Sequence, residues 1–204
     1  MFTQMAPTKA NLISAKKSYE LSKLGFELLD KKRNILIREM MTLIEKADEI
    51  QENIDNIYEK AFKMLHKSNI SLGVCEELSL TIPVESRLEL SFRSVMGVEI
   101  PIVRLKDRDN INIPFGLYNS SSDLDKAYSY FREARRMTVK MAEIESSAYL
   151  LANSIKKTQK RANALKNIVI PKFEKIIKFI TDALEEKERE EFSRLKIIKN
   201  NNKK

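Results

Sequence analysis

The chain has 204 residues with 4 Gly, 5 Pro and no Trp, too little turn-forming punctuation for a loop-rich or all-β fold. Charged residues make up 32% and the hydrophobic set 43%, which is too apolar for a disordered polyampholyte and suits long helices with large wet surfaces. A single cysteine, Cys75, excludes an intrachain disulfide, and no Cys/His cluster offers a structural zinc site. That usage fits a reducing compartment. The net charge of +8 is local: Lys156 to Lys166 holds five basic and no acidic residues, and Arg194 to Lys204 holds another five. An acidic partner suits such clusters. The opening Met-Phe-Thr-Gln-Met-Ala-Pro-Thr lacks the charged start and apolar run of a secretion signal, and no stretch approaches ~18 consecutive apolar residues. We therefore expect a soluble protein that meets membrane only through partners.

Gly73, Gly97 and Gly116, with Pro83, Pro101 and Pro114, divide the chain into two flanks and a connector. The first flank, roughly Thr8 to Ser68, repeats three- and four-residue steps: Leu12, Ala15, Tyr19, Ser22, Phe26, Leu29, Arg33, Leu36, Met40, Leu43, Ala47, Ile50, Ile54, Ile57, Ala61 and Met64. Only Ser22 and Arg33 are polar. A 3.5-residue seam stays on one side of a helix only if that helix winds left-handedly about a partner, so the pattern predicts a coiled coil. About 60 residues at 1.5 Å each would extend roughly 90 Å. The plainer alternative is a long helix in an ordinary bundle.

In the connector, Arg87 to Arg93 alternates polar and apolar, and Val98 to Ile102 does so again after Val95-Met96-Gly97. That pattern predicts a β-hairpin. Pro101 cannot donate to a ladder and places its strand at an edge or bulge. Two strands alone are marginal, so the hairpin is expected to lean on the coil or on another protein. A decorated loop is the competing reading.

The second flank begins at Asn119-Ser120-Ser121-Ser122-Asp123-Leu124-Asp125, where Ser122 is expected to cap a helix and Asp125 to answer it three residues on. Its seam runs Tyr130, Ala134, Met137, Met141, Ile144, Ala148, Leu151, Ile155, Thr158, Ala162, Leu165, Val169. Pro171 removes a donor and predicts a bend, after which Phe173, Ile176, Ile180 and Leu184 resume the strip. Phe192, Leu195 and Ile198 add a last one. The expected fold is mainly α, a long antiparallel two-helix left-handed coiled coil with a small central β-hairpin. Its expected divisions are a long helix over 1–72, a connector with the hairpin over 73–121, a second long helix over 122–199 kinked near 171, and a flexible tail over 200–204.

No Gly is followed by Lys, so no phosphate-cradling P-loop can be drawn. His66 is the single imidazole and has no carboxylate or cysteine at ligand spacing, so it reads as a surface histidine rather than a metal ligand or general base. Cys75 reads as a small packing residue, and the pairs Glu76-Glu77 and Glu185-Glu186 as solvated surface. Neither cofactor nor metal is expected. What remains is surface. Lys156, Lys157, Lys160 and Arg161 form a solvated face, a site for an acidic protein or, less specifically, a phosphate contact, and no aromatic is interleaved for base stacking.

Ala6-Pro7-Thr8-Lys9-Ala10-Asn11-Leu12, Met96-Gly97-Val98-Glu99-Ile100-Pro101, the stretch Arg161-Ala162-Asn163-Ala164-Leu165-Lys166-Asn167-Ile168-Val169-Ile170-Pro171, and the run from Leu184 to Lys196 resemble the D subunit of the rotary V-type and A-type ATPases. The resemblance covers nearly the whole chain. Two departures stand out: Lys166, where that family commonly has an acidic residue, and the terminal Asn/Lys tail. The resemblance implies a non-catalytic central rotor shaft whose paired terminal helices occupy the pore of a hexamer of A and B subunits. A small F subunit binds alongside, and a funnel-shaped subunit joins the foot to the membrane ring. No direct nucleotide and no nucleic acid are implied. Partner-facing candidates are Lys156, Lys157, Lys160 and Arg161, with Arg189, Arg194 and Lys196, while the hairpin around Leu88, Leu90, Phe92, Val98 and Ile100 is left for contacts outside the pore or for modulating turnover. The alternative is a basic coiled-coil rod that binds a membrane surface or nucleic acid as a tether.

Overall fold

The computed structural model describes residues 6–74, 78, 80–82, 88–105, 115–116 and 120–201. The expectations for Cys75, Glu76, Glu77, Pro83, Arg87, Pro114 and Asn119 lie outside them, as do the opening residues 1–5 and the end of the tail, 202–204. The first long helix, α1, spans Lys9–Leu72. Two strands follow, β1 (Leu88–Val95) and β2 (Val98–Leu105), then α2 (Ser122–Ala164), a π-helical turn (Leu165–Val169) and α3 (Ile170–Asn201). Two long packed helices with a small antiparallel hairpin between them is thus the observed architecture, as the sequence predicts.

The residues group into two units, 1–34 with 156–204, and 35–155. Within the first, Lys9 pairs with Glu188, Tyr19 with Glu174 and Arg33 with Gln159, so the segments run antiparallel. Within the second, Tyr58 meets Thr138 and Phe131, and Ser68 meets Ser121, again antiparallel. Every predicted seam position from Leu12 to Met64 is buried or partly buried, and so is every one from Tyr130 to Val169. Ala15, Leu36, Ala61, Ala134, Leu151 and Ala162 are almost wholly inside. Burying each large aliphatic side chain contributes about 1.5 to 3 kcal/mol.

The two polar seam residues are satisfied locally. Ser22 donates to the Ser18 carbonyl one turn back, 2.7 Å away. The Arg33 guanidinium reaches Asp30 at 2.7 Å and Gln159 at 2.8 Å, laying its stem along the apolar strip while its head is fully engaged. Lys166, the departure noted above, sets its ammonium 5.8 Å from the centre of the Phe26 ring.

One local expectation is corrected. The cap of α2 is Ser121 rather than Ser122: its Oγ accepts from the Leu124 amide at 3.2 Å, and Ser122 is already the first helical residue. At Pro171 the backbone takes in an extra residue. The Ile170 amide donates to the Leu165 carbonyl, five residues back, immediately before the proline that has no N–H to give. The inserted residue shifts the phase of the buried strip by one. Regular alternation from Leu165 would bury Lys172 and Phe179, whereas the strip resumes as expected at Phe173, Ile176, Ile180 and Leu184, and Phe179 is exposed.

The connector does form a hairpin. β1 and β2 pair from Leu88↔Leu105 to Val95↔Val98 around Met96-Gly97, whose φ values of 51° and 76° are those of a tight two-residue turn matched to strand twist. Gly takes that backbone freely, but Met96 holds it at a cost of about 1 kcal/mol or more.

Candidate functional site

Lys156, Lys157, Lys160 and Arg161 lie in the last turns of α2 and are all exposed. Their spacing puts them within roughly 140° of one another on the helix. The opposite side carries Leu151, Thr158 and Ala162, all buried. Packing the seam therefore fixes where the four cations point, and they share one solvent-facing surface. Crowded like charges repel, so an acidic counter-surface would relieve them.

Arg189 and Arg194 belong to a different part of the chain and are not brought to that cluster. Each sits on α3 four residues after a carboxylate, Glu185 at 3.8 Å and Glu190 at 3.6 Å. Such exposed pairs hold little energy and leave the arginines available for exchange with an external anion. Lys196 is exposed nearby. From Glu185 to Asn201 every residue of α3 is exposed, including Phe192, Leu195, Ile197 and Ile198. Since α1 begins at Lys9, beside Glu188 at 3.2 Å, the rest of α3 runs past the start of its packing partner.

The first unit carries a further surface that the seam pattern does not reveal. Leu21, Leu24 and Leu28 are 72%, 57% and 67% exposed. Each stands two residues after a seam position, on the side of α1 directed away from its partner. Lys16, Lys17, Lys23, Lys31 and Lys32 are interspersed with this row. An apolar row rimmed by cations fits a partner surface that is apolar with acidic margins.

Two titrating groups sit in well-defined pairs. The Tyr19 hydroxyl donates to Glu174 at 3.0 Å, and that hydrogen bond and the carboxylate charge hold its pKa above the usual tyrosine value. Glu59 accepts from Lys63 one turn on, which holds its carboxyl below the usual range. Both are exposed structural contacts. His66 is exposed on α1. Among the described residues no group of His, Cys, Asp and Glu is placed to hold a metal ion, and no helix is long and apolar enough to cross a membrane.

A family model described as the D subunit of ATP synthase matches residues 11–200. Over 197 residues the chain is 42% identical to a V-type ATP synthase D subunit of Thermotoga neapolitana, with 96% of this chain and 97% of that protein aligned. It is 33% identical over 199 residues to an A-type ATP synthase D subunit of Methanosphaera stadtmanae, covering 96% and 93%. The A-type ATP synthase D subunit of Thermococcus kodakarensis is 34% identical over 197 residues, covering 95% and 92%.

Proposed function

Since the chain belongs to the family of D subunits of the V-type and A-type ATP synthases, we propose that it is the central rotor shaft of such a machine, transmitting torque between nucleotide turnover in a hexamer of A and B subunits and movement of an ion, proton or sodium, across the membrane. The observation that carries this reading is the full-length family match borne by a chain built of two antiparallel packed helices. In this role the protein hydrolyses nothing itself. It works at the cytoplasmic face of the membrane, held there by the complex, with the F subunit alongside and a funnel-shaped subunit below.

The physical requirement on a shaft is asymmetry. A pair of helices has no three-fold axis, so the first unit presents a different face to each of three similar catalytic interfaces. Contact that differs among them shifts their conformational equilibria differently, while equal contact shifts none. Turning the pair permutes the three states. In this reading the basic face of Lys156, Lys157, Lys160 and Arg161 and the leucine row of α1 supply the differing contacts, and Arg189, Arg194 and Lys196 engage acidic groups nearer the end of α3.

Reversing Lys156, Lys157, Lys160 and Arg161 to Glu tests the assignment. The isolated variant should keep its helicity, because all four are solvent-exposed, while ion-coupled turnover of the reconstituted complex falls roughly ten-fold or more. Unchanged coupled turnover would remove these residues from the interface. Tight, salt-sensitive binding of the isolated chain to anionic vesicles or DNA would instead favour the tethering rod.

A further inference from the structure

The hairpin has one sealed edge and one open edge. On β2, the Val103 amide donates to Glu143 Oε2 of α2 at 2.9 Å, and Ser147 Oγ, 3.5 Å away, donates to the Pro101 carbonyl. The main-chain groups of Val103 and Pro101 therefore point away from β1. In an antiparallel ladder, residues directly opposite either exchange both of their main-chain bonds or direct both outward. Leu90 lies opposite Val103 and Phe92 opposite Pro101, so both turn their own main-chain groups away from β2. By the same alternation Leu88 and Ser94 do so too. Pro101 accordingly costs the ladder nothing, since its position needs no inward donor.

β1 is exposed along its length apart from Val95. The side chains of Leu88, Leu90 and Phe92 lie in a row and are 54%, 60% and 62% exposed. Near the turn the hairpin's other face leans on α1: Ile100 is buried and its neighbour across the ladder, Arg93, pairs with Glu39. A strand whose outward main-chain groups have no partner among the described residues and whose side chains on one face form an apolar row is a template for another extended strand.

We propose that β1 receives a β-strand from another subunit of the complex, a segment with alternating apolar residues that extends the hairpin into a three-stranded sheet. Outward bonds at Leu88, Leu90, Phe92 and Ser94 set the register, and the apolar row supplies the contact area. A second copy of this chain is a poorer occupant. Pairing one eight-residue strand with its twin falls well short of the roughly 1,200 Å² that a stable dimer buries. The strand must come from a subunit already held to this chain elsewhere, so the inference rests on the assembly role proposed above.

Residue-resolved amide exchange on the isolated chain and on the reconstituted complex tests it. In the isolated chain the amides of Glu89, Ser91 and Arg93 are protected by the ladder, while those of Leu90, Phe92 and Ser94 exchange freely. In the complex the second set is expected to slow by roughly ten-fold or more. A complex that contains the chain but leaves those three amides exchanging at the isolated rate overturns strand addition and leaves the rotor role standing, whereas a chain that joins no complex removes both. Slowing that depends on the concentration of the isolated chain would assign the edge to a second copy and overturn the proposal. Leu90→Pro, which deletes one outward donor, should abolish the slowing at Phe92 and Ser94, with Glu89 and Arg93 still protected as evidence that the hairpin is intact. Slowing that survives Leu90→Pro means that burial, not main-chain pairing, produced it.

Discussion

Residues 1–34 and 156–204 carry 22 Lys and Arg against 10 Asp and Glu, while residues 35–155 carry 15 against 19. The first unit is strongly basic and wears the leucine row; the second leans acidic and wears the hairpin. Yet both are closed by the same three-and-four rhythm of buried side chains. Helix pairing is thus specified by the interior spacing in both units, and what distinguishes them is written on their surfaces. Charge asymmetry of this kind acts on which partner approaches and how fast, rather than on the fold.

The largest test of that contrast strikes the shared feature. Leu151→Ala in the second unit and Ile180→Ala in the first each empty a fully enclosed site, and each should cost about 2 to 5 kcal/mol in denaturant unfolding. A loss below about 1 kcal/mol at one site only would show that the two units are not held alike. Smaller gains are expected where the backbone is ill served. Gly25→Ala relieves a glycine inside α1, and the added methyl would meet nothing nearer than Leu165 Cδ1 at 3.7 Å, so a stabilisation of roughly 0.5 to 1 kcal/mol should appear as a raised midpoint. Met96→Asn places a residue tolerant of positive φ in the hairpin turn and should stabilise the second unit by about as much, read from exchange at Glu89 and Arg93.

The smallest effect concerns Tyr19. Its raised pKa means that its bond to Glu174 helps the folded state below the ordinary tyrosine value of 10.0 and is lost as pH climbs through the folded value. The difference in unfolding midpoint between wild type and Tyr19→Phe should therefore be present near neutrality and shrink above about pH 10. A difference that stays constant to higher pH would detach the hydroxyl from this role.

The long elements were legible because a 3.5-residue repeat has few structural explanations, and the hairpin because two alternating runs flank Met96-Gly97. Ser120-Ser121-Ser122 was less readable: three successive hydroxyls offer equivalent caps, and only the direction in which the chain enters α2 selects Ser121. Pro171 announced a disturbance without saying whether the ladder would break, tilt or admit an extra residue. The exposed leucines were readable in principle. Leu21, Leu24 and Leu28 follow Tyr19, Ser22 and Phe26 by two residues each, but a single seam already accounted for the helix. Of the basic candidates, the cluster on α2 shares a face because its positions fall within one and a half turns, whereas Arg189, Arg194 and Lys196 lie elsewhere because at least 28 residues of helix, roughly 40 Å, separate them from Arg161.

The π-helical turn between Leu165 and Val169 carries a practical lesson for anyone exchanging pieces among relatives. A chimera joined upstream of it, with a donor segment of equal length that forms a regular α-helix there, would present the side chain at 179 to the interior where this protein presents Ile180. The graft would look conservative in an alignment and still be out of step by about a hundred degrees around the axis. Splice points that keep Leu165 through Pro171 intact avoid that error.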